Sequence, residues 1–139
     1  MGLDISHDCW SGAYSAFARF RKELHKIAGY GDYNLVYKND DVRIEGSTIP
    51  WNEFTTENYM GEWDTSPNDP LLILLVHSDC DGIIPNEFVF HLATRLQQLL
   101  PMLSDEGTGH LSRGYKATAY KFIQGLLLAH EKGEDVEFF

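Results

Sequence analysis

Between residues 77 and 82 a histidine and two aspartates alternate, in the order His77-Ser78-Asp79-Cys80-Asp81-Gly82. An imidazole and two carboxylates on one short turn can converge on a divalent ion such as Mg²⁺, Mn²⁺ or Zn²⁺, and Gly82 would let a ligand come close to the backbone. The same six residues also make an ordinary turn, with Asp79 and Asp81 bonding nearby amides and His77 closing the element before them. A second polar tip, His7-Asp8-Cys9, follows the alternating residues Gly2 to Ser6. In a third segment, 107–114, three glycines surround His110, Ser112 and Arg113 ahead of a helix start, where amides and a guanidinium suit a phosphate or carboxylate. It matches no Walker or dinucleotide fingerprint, and a plain interhelical loop accounts for it equally. Trp51 and Trp63, with Phe54 and Tyr59 between them, could stack on a base or fold back as a satellite core. No G-x-S-x-G elbow, H-E-x-x-H helix or Ser-His-Asp order occurs, so neither a serine hydrolase nor a zincin is indicated.

These groups need elements to hold them. Gly2 to Ser6 alternates as a short half-buried strand does. From Ser11, read as an N-cap, Tyr14, Phe17, Phe20, Leu24, Ile27 and Ala28 form one helical stripe that stops at Gly29. Arg19, Lys22 and Lys26 occupy its other side, either as a solvated face or as a binding patch. Alternation at Tyr33, Leu35, Tyr37, Val42 and Ile44 around Asn39-Asp40 predicts a hairpin over 32–45. Residues 46–70 lose periodicity and read as a long aromatic loop or lid. Leu71 to Val76 is an unbroken apolar run after Pro67-Asn68-Asp69-Pro70, which predicts a central strand buried on both faces. Asn86 is read as the cap of a helix striped by Val89, Leu92, Ala93, Leu96, Leu99 and Leu100 and ended by Pro101. A last helix follows through Tyr115, Ala119, Phe122, Ile123 and Leu126 to Ala129, and 134–139 is a short edge strand or docked tail. If the first strand paired parallel to 71–76, His7 and Asp8 would share one sheet end with His77, Asp79 and Asp81, where ligands of open α/β sheets bind.

The chain of 139 residues, 43% hydrophobic and 23% charged, is of single-domain size and globular composition. A net charge of −10 argues against general binding to nucleic acid or anionic membrane. Residues 39–81 hold ten acids and one base, whereas 11–38 hold five bases and two acids. An acidic face of that kind fits a solvated loop, a cation site, a basic protein partner or DNA mimicry. Cys9 and Cys80 form no C-x-x-C pair, no secretory leader is evident, and the longest apolar run is six residues, so a reducing cytoplasm is the expected setting.

The stretch Val76 to Ile84 resembles the first motif of the DHH phosphoesterases, in which a buried strand runs into an H-x-D-x-D-G turn. That resemblance implies Mn²⁺ held by His77, Asp79 and Asp81 and a phosphodiester or polyphosphate substrate. It covers about nine residues, and the later Asp-His-His of that family is missing. Over its whole length the chain is similar to a set of small bacterial and phage proteins without an assigned activity. These open with Met-Gly-Leu-Asp-Ile, carry His-Ser-Asp-Cys-Asp-Gly and end in Glu-x-Val-x-Phe, as Met1 to Ile5, His77 to Gly82 and Glu134 to Phe138 do here. The similarity implies a phage or prophage setting.

The expected molecule is therefore one α/β domain of mixed α+β topology, a small mixed sheet with three packed helices. Its expected function is to bind a small polar ligand, a nucleotide foremost, without turnover, as a phage counter-defence protein would. In that reading His77, Asp79 and Asp81 fix polar groups, Trp51 or Trp63 stacks on the base, and Arg113 meets phosphate. The rival is a metal-dependent phosphoesterase with Mn²⁺ or Mg²⁺ on His77, Asp79 and Asp81, joined by His7 and Asp8. A third reading is an acidic interaction module for a basic protein partner. Homo-oligomerisation stays open.

Overall fold

A computed structural model describes residues 2–39, 41–105 and 114–139. It is a small α+β domain of three long helices and short antiparallel strand pairs. The long helices are α1 (Tyr14–Ile27), α4 (Asn86–Leu99) and α5 (Tyr115–Lys132); α2 (Thr56–Tyr59) and α3 (Leu71–Leu75) are single turns. Strand β1 (Gly2–Ile5) pairs with β2 (Trp10–Ala13), β3 (Asn34–Lys38) with β4 (Asp41–Glu45), and β5 (Ile83–Ile84) with β6 (Val136–Glu137). Every pairing among the described residues is antiparallel, and the strands form two-stranded pairs in place of the one small mixed sheet expected, so the parallel arrangement considered for β1 and 71–76 does not occur. No described helix is long and apolar enough to cross a membrane.

The C-terminal segment joins two of these pairs. Asp4 and Phe139 exchange backbone hydrogen bonds of 2.8 Å in both directions, Ile5 bridges Phe138, and the Phe138 amide donates to the Gly82 carbonyl at 2.9 Å. Residues 136–139 thus lie between β1 and β5, satisfying backbone groups on both sides. This places the N-terminal hairpin, the turn after His77 and the C-terminal segment side by side.

The apolar run 71–76 is a helix and not the strand that its hydrophobicity predicts. Leucine dominates it, and leucine is among the better helix formers; six apolar residues fit a buried helical turn as well as a buried strand. The Pro67–Pro70 turn starts it: the Asp69 carboxylate accepts the Leu71 amide at 2.9 Å, and the Asp69 carbonyl accepts that of Leu72 at 3.0 Å. At the other end the Arg21 guanidinium, lying over the Phe17 ring, donates to the carbonyl of Leu74, which also accepts the His77 amide at 3.3 Å, and to that of His77 just beyond the helix. Leu71, Ile73, Leu74, Leu75 and Val76 are all buried.

The rest of the core follows the predicted stripes. Phe17, Phe20 and Leu24 of α1 are fully buried, as are Val89, Leu92 and Leu96 of α4 and Phe122 and Leu126 of α5. At about 1.5–3 kcal/mol for each fully buried large side chain, this three-helix contact is the main source of stability. Trp10 stacks on Phe20 at 5.9 Å and meets the edge of Phe17 at 5.3 Å, fastening the N-terminal hairpin to α1. Ser11 is not the α1 cap: it lies in β2 and donates its hydroxyl to Asp4, while the helix begins after Ala13 without a side-chain cap. Asn86 is the first residue of α4, and its side chain reaches the Glu134 carbonyl at 3.1 Å.

The β1–β2 hairpin turns through His7 and Asp8, both at positive φ (61° and 60°), with the Cys9 amide on the Ser6 carbonyl at 3.2 Å. These are the signs of a type I′ turn, and Asp and His are among the residues that enter the left-handed region more readily. The turn rests on α5 at Gly125. A Cβ there would stand 2.5 Å from Cys9 Sγ and 2.8 Å from the His7 carbonyl oxygen. Gly125→Ala should therefore destabilise the protein by about 1–3 kcal/mol, although alanine favours a helix by about 1 kcal/mol over glycine. Urea unfolding followed by circular dichroism would test this, and an unchanged or higher midpoint would contradict the close approach.

Candidate functional site

His77 sits where α3 meets the following turn, and its ring is buried. One face stacks on Phe138 with centroids 3.8 Å apart; Nε2 lies 2.7 Å from the Ile83 carbonyl and Nδ1 2.9 Å from that of Ser78. Two glycines close over it: a Cβ at Gly61 would come within 3.3 Å of Nε2, and one at Gly82 within 3.1 Å of Cε1, both at positive φ. Burial pushes the His77 pKa below its ordinary value, outweighing the two carbonyls that favour the protonated ring, and Arg21 adds to the downward push. His77 thus acts as a latch between α3, β5 and the C-terminal segment.

Asp79 and Asp81 are exposed on that turn. Asp81 accepts the Ser78 hydroxyl at 3.1 Å, while Ser78 Oγ accepts the amides of Cys80 and Asp81, the hydroxyl-bonded turn that the residue types allow. Across the fold, Asp8 pairs with Lys121 at 3.3 Å and His7 with Glu134 at 3.0 Å. Among the described residues no three His, Cys, Asp or Glu side chains converge as a cation's ligands would. With both ring nitrogens of His77 already facing carbonyls, this donor set does not fit the Mn²⁺ that the DHH resemblance implies.

The aromatic segment 46–70 folds back. Ile49 is buried, and Trp51, Phe54 and Trp63 pack against the main core in an edge-to-face series, 6.5 Å from Trp51 to Phe54 and 5.7 Å from Phe54 to Trp63. Trp51 Nε1 donates to Ser47 Oγ at 3.0 Å, as does the Ile49 amide at 3.1 Å. Ser47 Oγ lies 2.6 Å from Nε2 of the buried His25, whose Nδ1 is 2.6 Å from the Gly31 carbonyl. The stoichiometry closes for a neutral His25. Its Nδ1–H donates to Gly31, its Nε2 accepts the Ser47 hydroxyl, and the Ser47 lone pairs take Trp51 and Ile49. Burial holds the His25 pKa below its ordinary value, ahead of the opposing pulls of the Gly31 carbonyl and Asp32. Trp51 therefore has a fixed architectural contact. Among the described residues the buried Nε1 atoms of Trp63 and Trp10 have no hydrogen-bond partner. Arg113, the expected phosphate contact, and His110 and Ser112 lie outside the described residues.

A cleft of about 560 Å³ that the sequence patterns did not single out opens between the turn at 68–70 and one face of α4. Asp69 anchors it: Arg95 Nε donates to its Oδ1 at 2.9 Å and Arg95 Nη2 to its Oδ2 at 3.3 Å, and the Tyr30 hydroxyl also donates to Oδ2. Burial alone would raise the Asp69 carboxyl, but the bonds from Arg95, Tyr30 and the Leu71 amide outweigh it and hold the pKa below the usual value. Burial and the bond to Asp69 push the Tyr30 phenol up to about 12. Arg95 Nη1 reaches Gln98 Oε1 at 3.2 Å. Among the described residues three of the five guanidinium N–H groups are thus engaged, beside a cleft whose wall includes Asn68, His91, Thr94, Arg95 and Gln98 together with half-exposed Phe90. The 91/94/95/98 spacing is one helix face, a signal that was present in the sequence but had no partner until Asp69 was placed opposite.

Arg19, Lys22 and Lys26 do share a face, around a smaller hollow of about 330 Å³ that includes Glu23, Asp32 and Tyr115. Lys22 is drawn to Asp32 at 3.7 Å there, so acids interrupt the patch. Comparison of the chain with protein-family models, curated proteins and solved structures yields no match.

Two measurements check these environments. Because His25 and His77 are held below their ordinary pKa in the fold, the unfolded chain binds protons first as pH drops; the stability they contribute is present above about pH 6.5 and lost below it. The urea midpoint should fall between pH 7.5 and 5.5, and His25→Asn should flatten that fall while lowering stability by about 1–3 kcal/mol. Cys9 is buried, its thiol pushed up to about 12 by burial and by Asp8, whereas Cys80 is exposed. Ellman's reagent should titrate one thiol in the native protein and two after denaturation.

Proposed function

We propose that the protein binds a small anionic ligand, a nucleoside phosphate foremost, in the cleft between Asp69–Arg95 and α4, and does so without turnover. The observation that supports this is a donor-rich cleft on a chain of net charge −10. The Asp69 clamp pre-sets the Arg95 fork, so that little side-chain entropy is lost when a phosphate or carboxylate arrives. His91, Thr94, Gln98 and Asn68 offer further polar contacts, and Phe90 gives an apolar edge for a planar ring. Relative to the reading from sequence, the ligand moves from the His77 turn, whose imidazole is occupied, to the far end of the same 46–70 segment. Sequestering a nucleotide in a phage-infected cell is the role this reading favours.

Isothermal titration with nucleoside mono-, di- and triphosphates and with inorganic phosphate tests it. Saturable heat with at least one nucleotide is expected, weakening as salt is raised and about tenfold weaker in the surface variants Gln98→Ala and His91→Ala. Absence of heat from the whole panel, or binding indifferent to these changes, would remove the cleft as the site.

A further inference from the structure

A different polar tip carries chemistry that no G-x-S-x-G or Ser-His-Asp pattern announces. Ser6 Oγ lies 2.8 Å from Nδ1 of His7, and His7 Nε2 lies 3.0 Å from Oε1 of Glu134, more than 120 positions away in the chain. The Glu134 carboxylate accepts the Nε2 proton. It thereby fixes the neutral tautomer whose Nδ1 lone pair faces the serine hydroxyl, the relation among nucleophile, base and orienting acid on which serine acyl transfer depends. The Glu137 amide donates to Ser6 Oγ at 2.9 Å, a contact that would also favour a developing alkoxide. The bond from His7 depresses the Glu134 carboxyl below its ordinary pKa, with Lys132 contributing, so it is ionised as the orienting role requires.

Geometry beyond the three side chains supports the same reading. The type I′ turn and its seat on Gly125 hold His7 in place, and its side chain is 13% exposed while that of Glu134 is 54% exposed. A cleft of about 520 Å³ opens directly beside them, lined by Ser6, His7, Glu134, Asp135, Glu137 and Phe139 among others.

We infer that Ser6 is a nucleophile activated by His7 and oriented through Glu134, able to take an acyl or phosphonyl group from a small activated ester. In the acylation step the Ser6 Oγ–carbon bond forms as the bond from the carbonyl carbon to the leaving oxygen breaks. The Ser6 proton passes to His7 Nδ1 and from there to the departing oxygen. Water then adds to the acyl-serine with His7 again taking the proton, which returns to Ser6 as the acid leaves. The acids around the cleft make an uncharged or cationic ester the fitting substrate class, since an anionic one meets Glu134, Asp135 and Glu137.

The test is labelling of the whole protein with an uncharged fluorophosphonate, read by peptide mass spectrometry, together with release of p-nitrophenol from p-nitrophenyl acetate. An adduct on Ser6 is expected, absent in Ser6→Ala. It should form at least tenfold more slowly in His7→Asn, a substitution that keeps a residue suited to positive φ in the turn. Glu134→Gln should slow labelling and alter its pH profile, which a merely structural contact would not do. Circular dichroism of the variants separates loss of the nucleophile from loss of the fold. No adduct on Ser6, or equal labelling of wild type and folded His7→Asn, overturns the inference, and neither outcome bears on nucleotide binding at Arg95.

Discussion

The fold depends on where the C-terminal segment can find hydrogen-bond partners. Residues 136–139 are bounded on one side by β1 and on the other by Gly82–Ile84, and Phe138 supplies the face on which His77 stacks. A segment this short gains little from its own propensity. Its stability comes from closing both edges at once and from the stacking of Phe138 on the face of the His77 ring. Once it is in place, α3, the turn at 78–82 and the hairpin turn at His7 have no freedom relative to one another.

The buried histidines, His77 under Phe138 and His25 among Tyr30, Tyr33 and Trp51, show how one residue type divides between structure and chemistry. His25 and His77 have both ring nitrogens directed at atoms of the fold, and burial pushes their pKa values down. His7 has the same count of contacts, but one is a serine hydroxyl and the other an exposed carboxylate, so a proton on it can move without breaking the core. The identity of the partners, and not burial alone, separates a latch from a base. Asp69 and Arg95 offer a parallel contrast, in which the carboxylate is saturated while three of the five guanidinium N–H groups are engaged among the described residues.

Much of the architecture could be read directly from the residues. The 3.6-residue stripes gave α1, α4 and α5, because each buries one broad face; alternation around Asn39 gave the β3–β4 hairpin; and 134–139 read as a docked tail. The Leu71–Val76 run misled because a fully buried segment has no polar face to reveal its period, and because Asp69-Pro70 starts a helix as readily as it makes a turn. That one misreading produced the parallel sheet and with it the expected crevice between the His7 and His77 tips. The sites that emerged join residues remote in sequence, Asp69 with Arg95 and Ser6–His7 with Glu134, and local spacing carries no information about such pairs.

The pairing of Ile5 with Phe138 also bears on how the native state is reached. The contact is non-local, so the entropy of closing the intervening chain is offset by no local interaction and the pairing depends on the helices that bring its two sides together. Without it Phe17 and the edge of β1 lack their cover, and a second molecule could offer its own 136–139 segment in place of the correct one. The C-terminal segment 136–139 is thus the element through which this fold would exchange partners at high concentration.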